Sequence, residues 1–255
     1  MNPKNLPQAD RGLPRTGAGP YRPGTGRRAL LRAAVAGGAT AVGGLALGAT
    51  PATAAPRTGT RPATPAQALK ELSAGNHRWR TFRQQHPHET RAVRHALVSG
   101  QNPFAVVLSC VDSRVPPELV FDQGLGDLLT VRSAGEVLDE AVLGSVAYGV
   151  LELGIPLVLV LGHQSCGAVK AAVHADETGE ELPVHIQYLA DQIRPAIDRG
   201  QHGDARVDST IDRQVALVHG RLSAEPDLAA KIAAGELAVV GARYELDSQL
   251  VHAIA

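Results

Sequence analysis

The sequence has few cysteines, no excess of charge of one sign and no uncharged apolar run of bilayer-spanning length. Two cysteines among 255 residues are too few for a scaffold held together by disulfides. Lysine plus arginine equals aspartate plus glutamate at 25 each, so the net charge gives no sign of nucleic-acid binding. A composition that is 44% hydrophobic and 20% charged excludes wholesale disorder and suits a globular core.

The zero net charge hides an asymmetric distribution. Residues 1–54 carry seven basic side chains and one acid, whereas the rest of the chain carries 18 basic and 24 acidic ones. Arg27-Arg28 precedes the apolar residues 33–49, which fall short of the about 20 residues that cross a bilayer, and Ala52-Thr53-Ala54 resembles a cleavage site. We predict that residues 1–54 are a cleaved signal peptide of the twin-arginine type, a tag that exports folded proteins. A basic disordered tail and an uncleaved anchor remain the alternatives.

The rest of the chain divides into a linker and one domain. Residues 55–65 are predicted as a linker rich in Pro, Thr and Arg, and residues 66–255 as the folded domain. Thr64-Pro65 is typical of a helix start, and this helix is predicted to reach Phe82 with an interruption near Gly75. Apolar periodicity predicts strands at 104–108, 128–131, 157–161 and 237–244, and helices at 139–153, 168–175, 186–197, 211–222 and 228–234. Their alternation predicts an α/β domain with a mostly parallel sheet flanked by helices.

The residues that can perform chemistry follow two of the predicted strands directly. Cys110, Asp112 and Arg114 come after strand 104–108, and His163 and Cys166 come after strand 157–161. Because ligands bind at the carboxyl ends of strands in open α/β sheets, we expect these side chains to share one crevice. Two thiolates and one imidazole are typical zinc ligands, and a fourth position stays open for water or for Asp112. A disulfide between the two cysteines, two unrelated buried thiols and a closed structural zinc site are the other interpretations.

At these residues the sequence resembles the β-class carbonic anhydrases. The motifs are Cys110-x-Asp112-x-Arg114 and His163-x-x-Cys166-Gly167, and the likeness extends through Pro116-Pro-Glu118 and Arg132-Ser-Ala-Gly135. It covers roughly residues 66–245. The resemblance implies an N-terminal helical arm on the α/β fold and the zinc-dependent, reversible hydration of carbon dioxide to bicarbonate and a proton.

The resemblance also implies a role for individual residues. One Zn²⁺ per subunit would be bound by Cys110, His163 and Cys166, and Asp112 and Arg114 would form the catalytic dyad. The implied substrate contacts are Gln101 as a hydrogen-bond donor, an apolar pocket of Leu129, Ala134 and Tyr148, and the backbone N–H of Gly167 on bicarbonate. Two positions depart from the family pattern, with Leu129 in place of Phe and Glu136 in place of Asn, and either is expected to alter the pocket.

The single-residue gap between Cys110 and Asp112 suggests a further hypothesis. A carboxylate held by the fork of Arg114 can orient the attacking group. If Arg114 turns away, the same carboxylate can reach the metal. We therefore expect Asp112 to become a fourth metal ligand in a closed state at low pH.

The family resemblance implies partners as well. It implies a homodimer at least, with a tetramer also compatible, in which Gln101 and Tyr148 reach the active site across the interface. No nucleic acid is expected, and the twin-arginine export machinery would deliver the protein outside the cytoplasmic membrane, as a secreted, periplasmic or cell-wall-associated enzyme. A related hydrolase of CS₂ or COS and a non-catalytic exported zinc-binding protein are the alternatives. The intact pair of Asp112 and Arg114 argues against the last, because metal storage needs no orienting dyad.

Overall fold

A computed structural model describes residues 61–254, which form a five-stranded sheet with helices on both faces. The strands are β1 (Ala105–Ser109), β2 (Leu128–Arg132), β3 (Leu157–His163), β4 (Ala238–Tyr244) and β5 (Val251–Ala253). Their order across the sheet is β2-β1-β3-β4-β5. The first four are parallel, and β5 pairs antiparallel with β4 at the edge. The predicted fold class is confirmed.

Eight α-helices accompany the sheet in the described part of the chain. They are α1 (Pro65–Arg80), α2 (Arg91–Ala96), α3 (Pro117–Val120), α4 (Glu140–Leu151), α5 (Gly167–Thr178), α6 (Val184–Ile193), α7 (Gly203–Ala224) and α8 (Pro226–Ala233). Short 3₁₀ turns lie at Leu97–Ser99, Ala134–Glu136 and Arg194–Ala196. Every predicted helix and strand is present. The short elements α2, α3 and β5 were not predicted, and the predicted helix 186–197 is α6 followed by a 3₁₀ turn.

Helix α1 begins as the sequence predicts but is not interrupted. The hydroxyl of Thr64 accepts a hydrogen bond from the backbone N–H of Gln67, and Pro65 occupies the first turn. The expected interruption near Gly75 is wrong, because the helix continues through it to Arg80. A Cβ at Gly75 would lie 1.7 Å from the carbonyl oxygen of Phe121. The glycine therefore allows close packing of the helix on the chain and does not mark a break.

The core has a layer on each face of the sheet. Val106, Val158 and Val160 point to one face, where they pack with residues of α4, α7 and α8. Val107 and Leu159 point to the other face, where residues of α1 and the segment around α3 cover them. Strands β1 and β3 are buried along their whole length because helices cover both faces. Burial of both strands therefore fixes the position of the residues at and after their carboxyl ends.

The predicted signal peptide (1–54) and most of the predicted linker (55–65) lie outside the described residues, so both stay predictions. Between residues 61 and 254, no helix combines the length and the apolar character needed to span a membrane.

Candidate active site

The two cysteines and His163 converge at the carboxyl edge of the sheet. Cys110 follows the last residue of β1, His163 is the last residue of the neighbouring strand β3, and Cys166 is the N-cap of α5. Their potential ligand atoms all lie within 4.8 Å of one another, and all three residues are buried. The predicted convergence is confirmed. It arises because parallel neighbours in a sheet end on the same side.

The two sulfur atoms are close but not bonded. The Sγ atoms of Cys110 and Cys166 are 3.9 Å apart and both thiols are free, whereas a disulfide bond measures about 2.05 Å. The disulfide interpretation is therefore wrong for this structure. The hydrogen bond from the Cys166 thiol lowers the pKa of Cys110 to about 4, and the same hydrogen bond, together with burial, raises the pKa of Cys166. The contact between the two sulfurs thus favours the thiolate form of Cys110 over that of Cys166.

The imidazole of His163 is oriented toward the sulfur atoms. Its Nδ1 lies 2.9 Å from the backbone carbonyl oxygen of Gln164, which assigns the proton to Nδ1 and leaves a lone pair on Nε2. The buried Nε2 has no hydrogen-bond partner in the described structure. An orphaned buried nitrogen beside two sulfurs fits the N/S donor set that zinc prefers. The residues present therefore suit the metal that the sequence predicts.

Asp112 and Arg114 form a two-pronged ion pair beside this cluster. Arg114 donates from Nε to Oδ1 at 2.9 Å and from a terminal nitrogen to Oδ2 at 2.7 Å, and its backbone N–H also reaches Oδ1 at 2.9 Å. These hydrogen bonds lower the pKa of Asp112 to about 2, so the group is a carboxylate throughout the neutral and alkaline range. Oδ2 lies 3.9 Å from Nε2 of His163. The pair is close enough to orient a group held by the cluster.

Arg132 holds the loop that carries Cys110 and Asp112, a role that the sequence analysis missed. Its guanidinium donates to the carbonyl oxygen of Cys110 at 2.8 Å and to that of Asp112 at 2.7 Å. Arg132 ends β2, where it stands opposite Ser109 in the parallel register. The strand pairing therefore brings the guanidinium to the start of the loop. Its position at a predicted strand end was the available signal.

Glu136, one of the two departures from the family pattern, is almost completely buried. Its exposed fraction is 2%, and its backbone lies in the left-handed region with φ of 53°. Burial raises the pKa of its carboxyl group well above the usual range, and the negative charge of Cys110 adds to this shift. The predicted effect of Glu136 on the pocket stays a prediction.

The predicted substrate residues are divided between two places. Gly167 begins α5 next to Cys166, and Ala134 lies in the 3₁₀ turn beside the cluster. Leu129 and Tyr148 instead share an open groove of about 580 Å³ between β2 and α4, and none of the three cluster residues lines it. Gln101 is exposed before β1. The described chain alone does not assemble all five predicted contacts around the cluster.

Comparison of the sequence with a family model and with curated proteins gives carbonic anhydrases in each case. A family model described as carbonic anhydrase matches residues 105–251, more than half of the chain. The chain is 44% identical over 188 residues to carbonic anhydrase 2 of Mycobacterium tuberculosis, covering 72% of this chain and 89% of that one. It is 42% identical over 189 residues to a carbonic anhydrase of Mycolicibacterium smegmatis, covering 72% and 90%.

A solved structure supports the fold. It belongs to one of two tetrameric β-carbonic anhydrases of the ascomycete Sordaria macrospora, and it superposes with a TM-score of 0.60 at 18% identity, covering 73% of this chain and 96% of that one. At this identity the likeness concerns the fold alone. The family match and the relatives show that this chain is an enzyme of the carbonic anhydrase family, and its fold is that of the β-carbonic anhydrases.

Proposed function

We propose that this carbonic anhydrase hydrates carbon dioxide at a zinc ion held by Cys110, His163 and Cys166. The observation that carries the proposal is the buried cluster of two thiols and one unpartnered imidazole nitrogen, with ligand atoms within 4.8 Å of one another. Zinc bound there would bring the pKa of a coordinated water near neutrality and so supply the nucleophile. Two thiolates and one neutral imidazole would leave one position for that water.

Asp112 and Arg114 would orient the reacting groups. The carboxylate accepts hydrogen bonds and cannot donate one, because its pKa of about 2 keeps it ionised. Arg114 holds both carboxylate oxygens, and Oδ2 lies 3.9 Å from Nε2 of His163, so the carboxylate has a fixed position beside the cluster. Such a fixed acceptor would align the nucleophile toward carbon dioxide at little further entropic cost.

The start of α5 would receive the anionic product. Helix α5 begins at Gly167 without a side-chain cap hydrogen bond from Cys166, and the first N–H groups of a helix have no acceptor within the helix. Helix N-termini bind anions through such groups. Bicarbonate formed at the cluster would therefore accept a hydrogen bond from Gly167. Ala134, in the neighbouring turn, would border the same space.

The experiment is stopped-flow carbon dioxide hydration by residues 55–255, with zinc removed, with zinc restored, and from about pH 6.5 to about pH 9. We expect turnover only with zinc, rising with pH. Bound zinc without turnover of carbon dioxide would contradict the proposal, and competition with CS₂ and COS would then distinguish a hydrolase from a non-catalytic zinc-binding protein.

We further propose that the enzyme is at least a homodimer. Tyr148 is 49% exposed and Leu151 is 42% exposed on α4, and β2 beside them is a sheet edge whose outer side has no strand partner among residues 61–254. Apolar surface next to an open strand edge favours association with another chain. A second copy on this face would bring Gln101 and Tyr148 toward a neighbouring active site, and a tetramer would require a second interface.

Gly144→Arg should prevent this association. A Cβ at Gly144 meets no atom within 4 Å, so the substitution leaves the fold intact, but a long charged side chain would then project from α4 where the groove lies. Gly220→Arg is the matched control, because Gly220 is an equally open helical glycine on α7. We expect light scattering after gel filtration to give a monomer for Gly144→Arg and a wild-type mass for the control. A wild-type mass for both would show that the interface lies elsewhere.

We propose export by the twin-arginine route on the strength of Arg27-Arg28, the following apolar run and the excess of basic residues in 1–54. The export receptor recognises the arginine pair itself, so lysines that keep the positive charge should not preserve binding of the signal to the receptor. Arg27→Lys with Arg28→Lys should leave the full-length protein inside the cytoplasm, whereas Arg11→Lys with Arg15→Lys should not change its export. Cell fractionation and mass spectrometry of the mature N-terminus measure both results. Equal export of both variants would contradict this route.

A further inference from the structure

The sulfur of Cys110 receives a hydrogen bond from the backbone of a neighbouring turn. The N–H of Gly135 lies 3.3 Å from Sγ, and both groups are buried. Gly135 has φ of 66°, a conformation that favours glycine, and a Cβ there would lie 2.8 Å from Cδ1 of Ile193. The turn is therefore shaped closely around this contact.

Gln214 holds the turn in place from α7. Its Nε2 donates to the carbonyl oxygen of Gly135 at 3.0 Å, and its side chain is 2% exposed. The amide orientation follows from chemistry, because only the nitrogen can donate to a carbonyl. Gln214 thus fixes the same residue whose N–H meets the sulfur of Cys110. None of the sequence motifs includes it, since it lies 48 positions after Cys166.

The packing of α7 explains how Gln214 reaches the site. A Cβ at Gly162 would lie 2.5 Å from Cγ2 of Val215, so the absent side chain lets α7 lie directly on the end of β3. Gly162 immediately precedes His163, and Val215 immediately follows Gln214. The close contact between Gly162 and Val215 therefore places Gln214 of α7 near the end of β3, where His163 lies.

We propose that Gln214 is a positioning residue for the metal ligand Cys110, which it serves through Gly135. An N–H group on a metal thiolate stabilises its charge and fixes the direction of its lone pairs, and such supporting contacts contribute to metal affinity. The inference rests on the zinc site proposed above. Gln214, a residue of α7 remote in sequence from the ligands, would thus raise the zinc affinity of the site through its hydrogen bond to the carbonyl oxygen of Gly135.

Gln214→Met tests the proposal, since it keeps the length and loses the donor. Thr210→Val is the matched control, because Thr210 is a buried residue one turn earlier on α7 whose hydroxyl accepts from the N–H of Asp198, outside the cluster. We expect Gln214→Met to bind zinc about 10- to 100-fold more weakly in a chelator competition and to shift the sulfur-to-cobalt charge-transfer band of the cobalt-loaded protein. Thr210→Val should leave both unchanged, even if it lowers the melting temperature.

Two results would overturn different parts of the proposal. Wild-type protein that binds no zinc would overturn the zinc site itself, whereas equal zinc affinity and an equal cobalt spectrum for wild type and Gln214→Met would overturn only the role of Gln214. If the Met variant does not fold, Gln214→Asn replaces it in the same measurements, because Asn retains an amide that is too short to reach Gly135.

In wild type loaded with ¹¹³Cd, we expect scalar coupling between the metal and the amide proton of Gly135. Absence of that coupling would contradict the contact independently of any variant.

Discussion

Cys166→Ser should lose stoichiometric zinc and carbon dioxide hydration together. Cys166 is 1% exposed and its sulfur lies 3.9 Å from that of Cys110, so this sulfur is a buried part of the proposed ligand set. A serine hydroxyl does not ionise near neutral pH and is a far poorer zinc ligand than a thiolate. Losing a supporting contact already costs about 10- to 100-fold in metal affinity, and loss of a ligand should exceed this.

Metal analysis after dialysis, together with stopped-flow turnover, measures the effect. Ser109→Ala is the control, since Ser109 is a buried neighbour of Cys110 whose hydroxyl has no hydrogen-bond partner in the described structure. It should keep one zinc per subunit and normal turnover. A Cys166→Ser protein with one zinc and wild-type activity would remove Cys166 from the ligand set.

Asp112→Asn should retain zinc and lose most turnover. The carboxylate is held by Arg114 and lies 3.9 Å from the imidazole nitrogen of His163, so it adjoins the proposed ligands without being one of them in this arrangement. An amide can present a donor where the carboxylate presents only acceptors, and it pairs less well with the guanidinium. Positioned groups of this kind contribute about 10²- to 10⁴-fold, and we expect a loss in that range.

The pH dependence distinguishes orientation from titration. Because the hydrogen bonds from Arg114 lower the pKa of Asp112 to about 2, this carboxylate does not titrate between about pH 6.5 and about pH 9. The loss in Asp112→Asn should therefore be similar at every pH in that range. Asp191→Asn, which changes an exposed carboxylate paired with Arg194, serves as the control and should behave as wild type. Unchanged kinetics for Asp112→Asn would exclude Asp112 from the mechanism.

The position of the site could be predicted from the sequence because two local patterns coincide. Strands β1 and β3 are largely apolar runs, and residues that can bind metal or carry charge stand at or directly after the end of each. Since parallel strands end at one edge, the convergence of Cys110 and His163 followed without knowledge of any contact. The prediction of zinc ligands then followed from the residue types, because two cysteines and one histidine are typical zinc donors.

What the sequence did not reveal depends on contacts between distant segments. Gln214 and Arg132 act through backbone carbonyls, and such contacts leave no spacing that a motif could display. Gly75 looked like a helix break because glycine has low helix propensity, whereas packing against Phe121 decides its role. The groove of Leu129 and Tyr148 stands apart from the cluster, so its proposed function requires a second chain.

The most direct test of the proposed metal site is a crystal structure of the zinc-loaded protein with anomalous scattering measured at the zinc absorption edge. We expect one anomalous peak per subunit, bonded to the sulfurs of Cys110 and Cys166 and to Nε2 of His163. At alkaline pH the fourth ligand should come from solvent and Asp112 should stay paired with Arg114, whereas at low pH Asp112 should replace the solvent ligand. A peak at another place, or none between these three residues, would contradict the account.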